Sequence, residues 1–215
     1  MAHHVRERAS GVIQVAAPLV ISSSLLPPVM AAYQHRHPDV MVRPVDCATH
    51  EMVAMIDDDR ADLAVGPDRP TGPGVRRIKL YDCPVAVWVT PHHRFARKRK
   101  VTWSDLRQES VIAASRNPET AIHQAFAQSG GVGDFAPAYI VENVTTGLGI
   151  ASAGLGVAVA PTFVSVMARR MGLTMRCLEE PLIKRELSIY VSNRRAPTPA
   201  ITTFMDFVVE HMEKD

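Results

Sequence analysis

The first part of the chain alternates short apolar runs with a segment in which apolar residues recur at helical spacing. The run Val12–Ala16 precedes Pro18 and predicts a strand. The helix predicted next ends at His37, because a residue that precedes proline is pushed out of the α region. Alternating apolar positions over 40–45 then predict a second strand. The helical spacing is set by Leu25, Leu26, Val29, Met30 and Tyr33.

The order of strand and helix continues up to residue 89. Thr49 is a candidate cap for the next helix, and Leu63–Val65 predicts a third strand. The run Val85–Val89 is apolar at every position, which is typical of a central strand that is covered on both faces. This β-α-β-α-β order predicts an α/β fold with a mainly parallel sheet and helices on both sides.

A second unit with the same pattern follows. Its strands are predicted over 111–113, 139–141 and 157–160. A helix is predicted to start at Asn117-Pro118, and another to end at Gly154 in the left-handed conformation that caps helices. The chain closes with an alternating strand over 187–191 and a helix that starts at Thr198. Two α/β units without a linker predict a cleft at the carboxyl ends of their parallel strands, where small ligands bind.

The composition and net charge of the chain limit the kinds of molecule that it is expected to bind. Hydrophobic residues make up 47% of the 215 residues, so real cores are expected. The 24 basic and 22 acidic residues are spread along the chain, which argues against nucleic-acid binding by this segment itself. The beginning, MAHHVRERAS, is polar and no window is apolar enough to span a membrane, so we expect a cytoplasmic chain without a membrane partner. The three cysteines are expected to be buried thiols.

The sequence lacks the residue patterns typical of nucleotide binding, metal binding and nucleophilic catalysis. We therefore expect no catalytic residue, no metal and no cofactor. The pair Gly154 and Gly156 lies between a predicted helix and a predicted strand, whereas a dinucleotide fingerprint runs from strand to helix. The nine histidines form no HExxH motif, and no GxSxG occurs. The basic stretch over 94–100 has one aromatic neighbour, Phe95, and is interpreted as a solvated loop.

Three polar clusters at predicted helix starts are candidates for binding a carboxylate. The run Ser22-Ser23-Ser24 either caps a helix or offers hydroxyl and backbone donors to a ligand. Ser115-Arg116-Asn117 combines a hydroxyl, a guanidinium that can form a bidentate pair, and an amide, with capping as the alternative. Thr145 and Thr146 open a third helix in a similar way.

The order of these motifs resembles the effector-binding domain of LysR-type transcription regulators. The stretch VIQVAAPLVISSSLLPPVMAAYQHRHPDVMVRPVD is similar to that domain's opening strand, turn and Leu-Leu-Pro helix. The domain's "small, Asp-Leu-Ala" strand is resembled by the stretch MIDDDRADLAVGP. Its crossover into a second lobe is resembled by the stretch KLYDCPVAVWVTPHHRFARKRKVTWSDL. VENVTTGLGIASAGLGVAVAP resembles its "Ala-Gly-Leu-Gly-Val then Pro" element. Each piece alone is weakly specific, but the pieces occur in the right order over about residues 11–213.

The resemblance implies two Rossmann-like lobes of the type 2 periplasmic-binding-protein kind with a cleft between them. Lobe 1 is expected over 11–87 plus 187–215, and lobe 2 over 88–186. Residues 1–10 are expected to be the remnant of a linker helix or an appended tail, since they are too few for the family's winged helix-turn-helix. The implied protein is a cytoplasmic sensor rather than an enzyme. It forms a homodimer, or a tetramer at full length, and reaches DNA only through the missing N-terminal domain.

The family's ligand contacts, carried over by position, fall on three segments of this sequence. One departure is that many members carry Ser or Thr where the first turn here is apolar, so Ser22 or Ser23 is expected to replace that hydroxyl contact. The apolar turn suggests an effector with an apolar or aromatic body, and Glu142 disfavours a second anionic group nearby. The expected ligand contacts are Pro18, Leu19, Val20, Ser22, Ser23, Ser115, Arg116, Asn117, Glu142, Thr145 and Thr146.

A small organic acid is the expected effector, and two rival hypotheses share the fold. The first is a solute-binding protein of a transport system, which is expected to carry a secretory signal or lipid anchor. The second is an enzyme on the same scaffold, for which Glu142 is the only candidate general base that the sequence offers in the predicted cleft.

Overall fold

The computed structural model describes residues 11–114 and 137–212. The chain divides into two compact units, one built from 1–82 and 186–215 and the other from 83–185. Two strands, β4 (Val75–Val89) and β10 (Lys184–Ser192), carry the chain from one unit into the other. None of the helices in the described ranges is long and apolar enough to cross a membrane.

The sheet of unit 1 has the strand order β2-β1-β3-β10. Strands β1 (Val12–Ala17), β2 (Met41–Asp46) and β3 (Leu63–Pro67) are parallel, and β10 pairs with β3 in the antiparallel sense. The last three residues of β1 and the first four of β3 are buried, as expected for parallel strands covered by helices on both faces. The helices of this unit are α1 (Leu19–Ser24), α2 (Leu26–Arg36), α3 (Met52–Asp57) and α6 (Pro199–Met212).

Helices α2 and α6 pack against each other through aromatic rings. Tyr33 of α2 is fully buried and meets Phe204 and Phe207 of α6 edge to face, with ring centroids 4.9 and 5.2 Å apart. Edge-to-face contacts of this kind bring the positive edge of one ring to the negative face of another. The hydroxyl of Thr198 accepts a hydrogen bond from the backbone N–H of Ile201 at 3.4 Å, so α6 starts at the predicted cap.

The sheet of unit 2 joins β4 to β8 (Val157–Pro161) on one side and to β9 (Thr174–Glu179) on the other. Strand β8 continues to β6 (Val111–Ala114) and β7 (Tyr139–Val141), all parallel. The short strand β5 (Val101–Thr102) pairs with β9. The helices of this unit are α4 (Val144–Ser152), α5 (Ser165–Arg170) and three 3-10 turns at Arg94–Arg97, Asp105–Gln108 and Thr162–Val164. Its core is centred on Trp103, Phe95 and the valines of β4, β6 and β8.

Some local predictions are confirmed and others are wrong. Gly154 has a φ of +78° just beyond α4, so the predicted left-handed cap is confirmed. Thr49 does not cap α3: the residue before that helix is Glu51, whose carboxylate accepts a hydrogen bond from the backbone N–H of Ala48. The expectation of three buried thiols is also wrong, because Cys177 on β9 is exposed and Cys47 is only partly buried.

Candidate functional site

The carboxyl ends of β1, β2 and β3 lie side by side at one edge of unit 1. Ala17 pairs with Asp46, so β1 and β2 end at the same level, whereas Ala16 pairs with Ala64 and β3 runs on to Pro67. The chain leaves this edge through Pro18, Cys47 and the segment after Pro67. Ligands of open α/β sheets bind outside the carboxyl ends of the strands, so this edge is the candidate site of unit 1.

The apolar turn at this edge starts α1. Pro18 has extended backbone angles, and its carbonyl accepts hydrogen bonds from the N–H groups of Ile21 at 2.8 Å and Ser22 at 3.0 Å. Pro18 and Val20 are buried, whereas Leu19 is 43% exposed. Leu19 is therefore the apolar side chain of the turn that is accessible to a ligand.

The serine run ends a helix instead of opening one, which corrects the sequence-based expectation. Ser23 Oγ donates to the carbonyl of Leu19 at 2.5 Å and Ser24 Oγ to that of Val20. Ser22 Oγ donates to Asp46 Oδ1 at 2.5 Å. Pro27 and Pro28 lie in the first turn of α2, where their missing N–H groups cost nothing, so α2 begins after the serines. The hydroxyl protons of all three serines are thus donated within the chain.

A tyrosine from β10 fixes the segment that follows β3. The Tyr190 hydroxyl donates to the carbonyl of Pro67 at 2.7 Å and accepts from the backbone N–H of Arg69 at 2.7 Å. Tyr190 is fully buried, and burial raises the pKa of its phenol, so the donating proton stays in place at neutral pH. The backbone N–H of Asp68 donates to the carbonyl of Glu186 at 2.9 Å. Sequence reasoning missed Arg69, although a cation just beyond a predicted strand was a usable signal.

Cys47 adds a neutral thiol to the same edge. Burial, with the nearby carboxylates of Glu51 and Asp46, raises its pKa to about 11. The thiol is therefore protonated at neutral pH and is a poor nucleophile there. This environment favours a structural role for Cys47 over a reactive one.

The carboxyl ends of β6, β7 and β8 form the corresponding edge of unit 2. Ala114 pairs with Val141 and Ala113 with Val159, so these parallel strands also end together. The predicted contacts Ser115, Arg116 and Asn117 follow Ala114 in sequence and lie outside the described residues. The predicted contacts Glu142, Thr145 and Thr146 follow β7 and are described.

The segment after β7 leads into α4, whose first turn contains the hydroxyl of Thr145. Asn143 precedes the helix with extended backbone angles, and its carbonyl accepts from the N–H of Thr146 at 3.0 Å. Glu142 and Thr146 are exposed. The Thr145 hydroxyl oxygen is buried and has no hydrogen-bond partner among residues 11–114 and 137–212. Leaving a buried polar group unsatisfied costs about 1–3 kcal/mol, so this hydroxyl is a natural place for a ligand acceptor to bind.

The described residues hold no group of three or more side chains suited to a metal ion. The basic stretch over 94–100 is largely engaged with acidic partners. Arg94 pairs with Glu109 at 2.5 Å and Lys98 with Asp105 at 2.7 Å. These ion pairs give the stretch a structural explanation that involves no nucleic acid.

The family profile of the LysR substrate binding domain matches residues 6–213 of this chain. The chain belongs to the LysR substrate-binding family. It is an effector-binding domain of LysR-type regulators, and the predicted family and α/β fold of the periplasmic-binding-protein kind are confirmed.

Relatives of this LysR-type domain are longer transcription regulators. The transcriptional dual regulator GltC of Bacillus subtilis is 25% identical over 95% of the chain. The chain spans 68% of the length of GltC and 58% of an uncharacterised regulator of Escherichia coli, YbhD.

Solved structures share the fold at low sequence identity. The effector-binding domain of QuiR in complex with shikimate has a TM-score of 0.78 at 20% identity, covering 95% of this chain and 98% of that one. The regulatory domain of CcmR from Synechocystis PCC6803 in complex with 2-PG has a TM-score of 0.80 at 16% identity, with coverages of 95% and 98%. These likenesses establish the fold of this LysR-type domain.

Proposed function

We propose that this chain is the effector-sensing domain of a bacterial transcription regulator and that its effector is a small organic anion. The effector would bind in the predicted interlobe cleft, contacted by the carboxyl edges of both units. QuiR and CcmR, which share the fold, hold shikimate and 2-PG, and shikimate is a carboxylic acid.

The observation that carries the proposal is the buried hydroxyl of Thr145, which finds no hydrogen-bond partner in the part of the chain that the structure describes. It lies at the start of α4, directly beyond the carboxyl end of β7. A carboxylate oxygen that accepts a hydrogen bond from this hydroxyl would remove its desolvation cost. Hydrogen bonds to charged groups contribute more than neutral ones, which favours an anion over a neutral ligand here.

The other edge favours an apolar body for the effector. Leu19 is exposed at the turn after β1, between the buried Pro18 and Val20. The hydroxyl protons of Ser22 and Ser23 are already donated to Asp46 and to the carbonyl of Leu19. In this proposal Leu19 contacts the apolar part of the effector, while the buried Pro18 and Val20 and the serines hold the turn.

Signalling would follow from different affinities of the effector for two arrangements of the units, since a ligand shifts an equilibrium only by such a difference. The partners in this proposal are a second copy of the chain and, through an additional DNA-binding domain, DNA. GltC, which is longer than this chain, is a transcription regulator by name, in keeping with such an additional domain.

The test is thermal unfolding of the domain against organic acids, each paired with its neutral amide. An acid present at a hundred times its Kd stabilises the folded state by about 2.7 kcal/mol. For a chain of this size that corresponds to a rise in Tm of about 5–10 °C. We expect a shift with one class of acid and none with its amides. The absence of any shift across aromatic, hydroxy and phosphorylated acids would refute the proposal.

Variants then locate the contact. Thr145→Val keeps the shape of the side chain and is expected to weaken binding of the active acid about three- to tenfold. Arg116→Ala is expected to weaken it further, because it removes the guanidinium that the sequence predicts to pair with the carboxylate. Thr203→Val, on the exposed side of α6, is the matched control and should bind like the parent. Equal binding by Thr145→Val and Thr203→Val would contradict the assigned contact.

A further inference from the structure

The last residue of β3, Pro67, and the two residues after it, Asp68 and Arg69, are held by hydrogen bonds that do not involve the Arg69 guanidinium. Tyr190 fixes the carbonyl of Pro67 and the N–H of Arg69 at 2.7 Å each. Asp68 is fixed through its own N–H to the carbonyl of Glu186 at 2.9 Å, and its carboxylate accepts from the N–H of Glu186 at 3.2 Å. All of these bonds involve the backbone or Asp68, and none involves the Arg69 guanidinium.

Arg69 as a residue is half-buried, and its guanidinium has neither a hydrogen bond nor an ion pair within the described part of the chain. Other cations of unit 1 close to this segment are paired: Arg77 and Lys79 contact Glu186 at 3.5 and 3.6 Å. Charged groups are rarely buried without a partner, because desolvation disfavours the charge. The backbone of the segment is also fixed by hydrogen bonds at Pro67, Asp68 and Arg69.

The position of Arg69 relates it to the candidate site. Gly66, three residues earlier, lies against the turn after β1: a Cβ at Gly66 would be 3.5 Å from Pro18 Cδ. The segment over 67–69 therefore leaves the sheet at the same edge as Pro18 and Leu19. Arginine presents a planar fork of donors that matches the oxygens of a carboxylate or a phosphate.

We propose that Arg69 is an oxyanion-binding residue of unit 1 that pairs with the carboxylate or phosphate group of the effector. This rests on the proposed function, and it assigns charge recognition to the end of β3 rather than to the serine run. Tyr190 is a positioning residue, because it holds the backbone from which Arg69 extends.

The first test needs no identified effector. The 15N-labelled domain is titrated with inorganic phosphate and, separately, with acetate, while the arginine Nε–Hε signals are followed by NMR. We expect the Arg69 signal, assigned with Arg69→Gln, to move along a saturable curve. The matched control is Arg76, an exposed arginine of β4 in the same unit that likewise has no ion-pair or hydrogen-bond partner for its guanidinium among the described residues. If Arg69 responds no more than Arg76 to either anion, the proposal is wrong. The two titrations distinguish a phosphate site from a carboxylate site.

The second test uses the acid that stabilises the parent, together with its amide. Arg69→Gln is expected to weaken binding of the acid about tenfold or more and to leave the amide unchanged. Arg69→Lys should recover part of the loss, because it keeps the charge but not the bidentate geometry. Tyr190→Phe leaves the charge of Arg69 in place and is expected to weaken binding of the acid by a smaller factor. Arg76→Gln should bind the acid like the parent.

The outcomes separate the two proposals. A parent that prefers acid over amide, with the same preference in Arg69→Gln, overturns the role of Arg69 and leaves the sensor function standing. A saturable Arg69 response to inorganic phosphate, without binding of acetate or any other organic acid, supports the oxyanion site and contradicts the proposed function.

Discussion

Three glycines around α4 provide a sharp test, because alanine at each meets a different physical obstacle. At Gly149, on the exposed side of α4, an added Cβ has no atom within 4 Å. At Gly154 it also has open space, but the backbone φ is +78°. At Gly156 it would lie 2.1 Å from the backbone oxygen of Ser110, at the point where β8 begins beside β6.

The expected changes in unfolding free energy differ in sign and size. Gly149→Ala should stabilise by about 0.5–1 kcal/mol, because alanine loses less backbone entropy in a helix. Gly154→Ala should destabilise by about 1–2 kcal/mol through strain in the left-handed region. Gly156→Ala should cost about 3 kcal/mol, because the overlap is with backbone atoms and strands must separate to relieve it. The variants therefore span about 4 kcal/mol within eight residues.

The assay is urea unfolding followed by circular dichroism, with the midpoint compared at constant m-value. Gly156→Ala should have the lowest midpoint and Gly149→Ala the highest. Equal destabilisation by all three would refute the argument, because it would mean that neither φ nor the clash sets the cost. A parent-like midpoint for Gly156→Ala would show that β6 and β8 are less closely spaced at this level.

Three further predictions follow from single contacts. The hydrogen bond from Lys98, with that from the Thr102 backbone N–H, lowers the pKa of Asp105. Asp105→Asn should therefore cost about 1 kcal/mol at pH 7, and unfolding at several pH values should show the cost vanish as pH falls below about 4 through the lowered pKa. Iodoacetamide at pH 8 should modify the exposed Cys177 before Cys47, whose pKa of about 11 keeps it protonated, as mass spectrometry would show. Trp103→Phe removes the 2.8 Å hydrogen bond to Pro181 and should lower Tm by about 4 °C or more.

Elements with strong local signals were predictable from sequence. Strand β1 and the start of α6 at Thr198 follow from an apolar run and a capping residue, both of which act within a few positions. Strand β9 was missed because only Leu178 of its six residues is fully buried, so no apolar alternation marks it. The first ten residues of β4 were missed for the same reason, since polar and apolar positions are mixed there.

The candidate site was less predictable than the fold because its decisive contacts are long-range. Ser22 donates to Asp46, 24 residues away, and the parallel register of β1 and β2 brings them together. Arg69 is held by Tyr190, 121 residues away. Neither pairing leaves a trace in the local spacing of residues. That the Thr145 hydroxyl has no partner among the described residues likewise depends on what surrounds α4, although its place at the helix start was predictable.

The division of the chain into units has a consequence for biosynthesis. Unit 2 is a single stretch over 83–185, whereas unit 1 also needs 186–215, which supply β10 and α6. A ribosome therefore releases every residue of unit 2 before the last strand of unit 1, and unit 2 is expected to fold first. Until then Tyr33 lacks Phe204 and Phe207, and β3 lacks its antiparallel neighbour. A nascent chain stalled before residue 186 would carry an exposed strand edge and a half-covered helix, which are the features that chaperones bind and proteases cut.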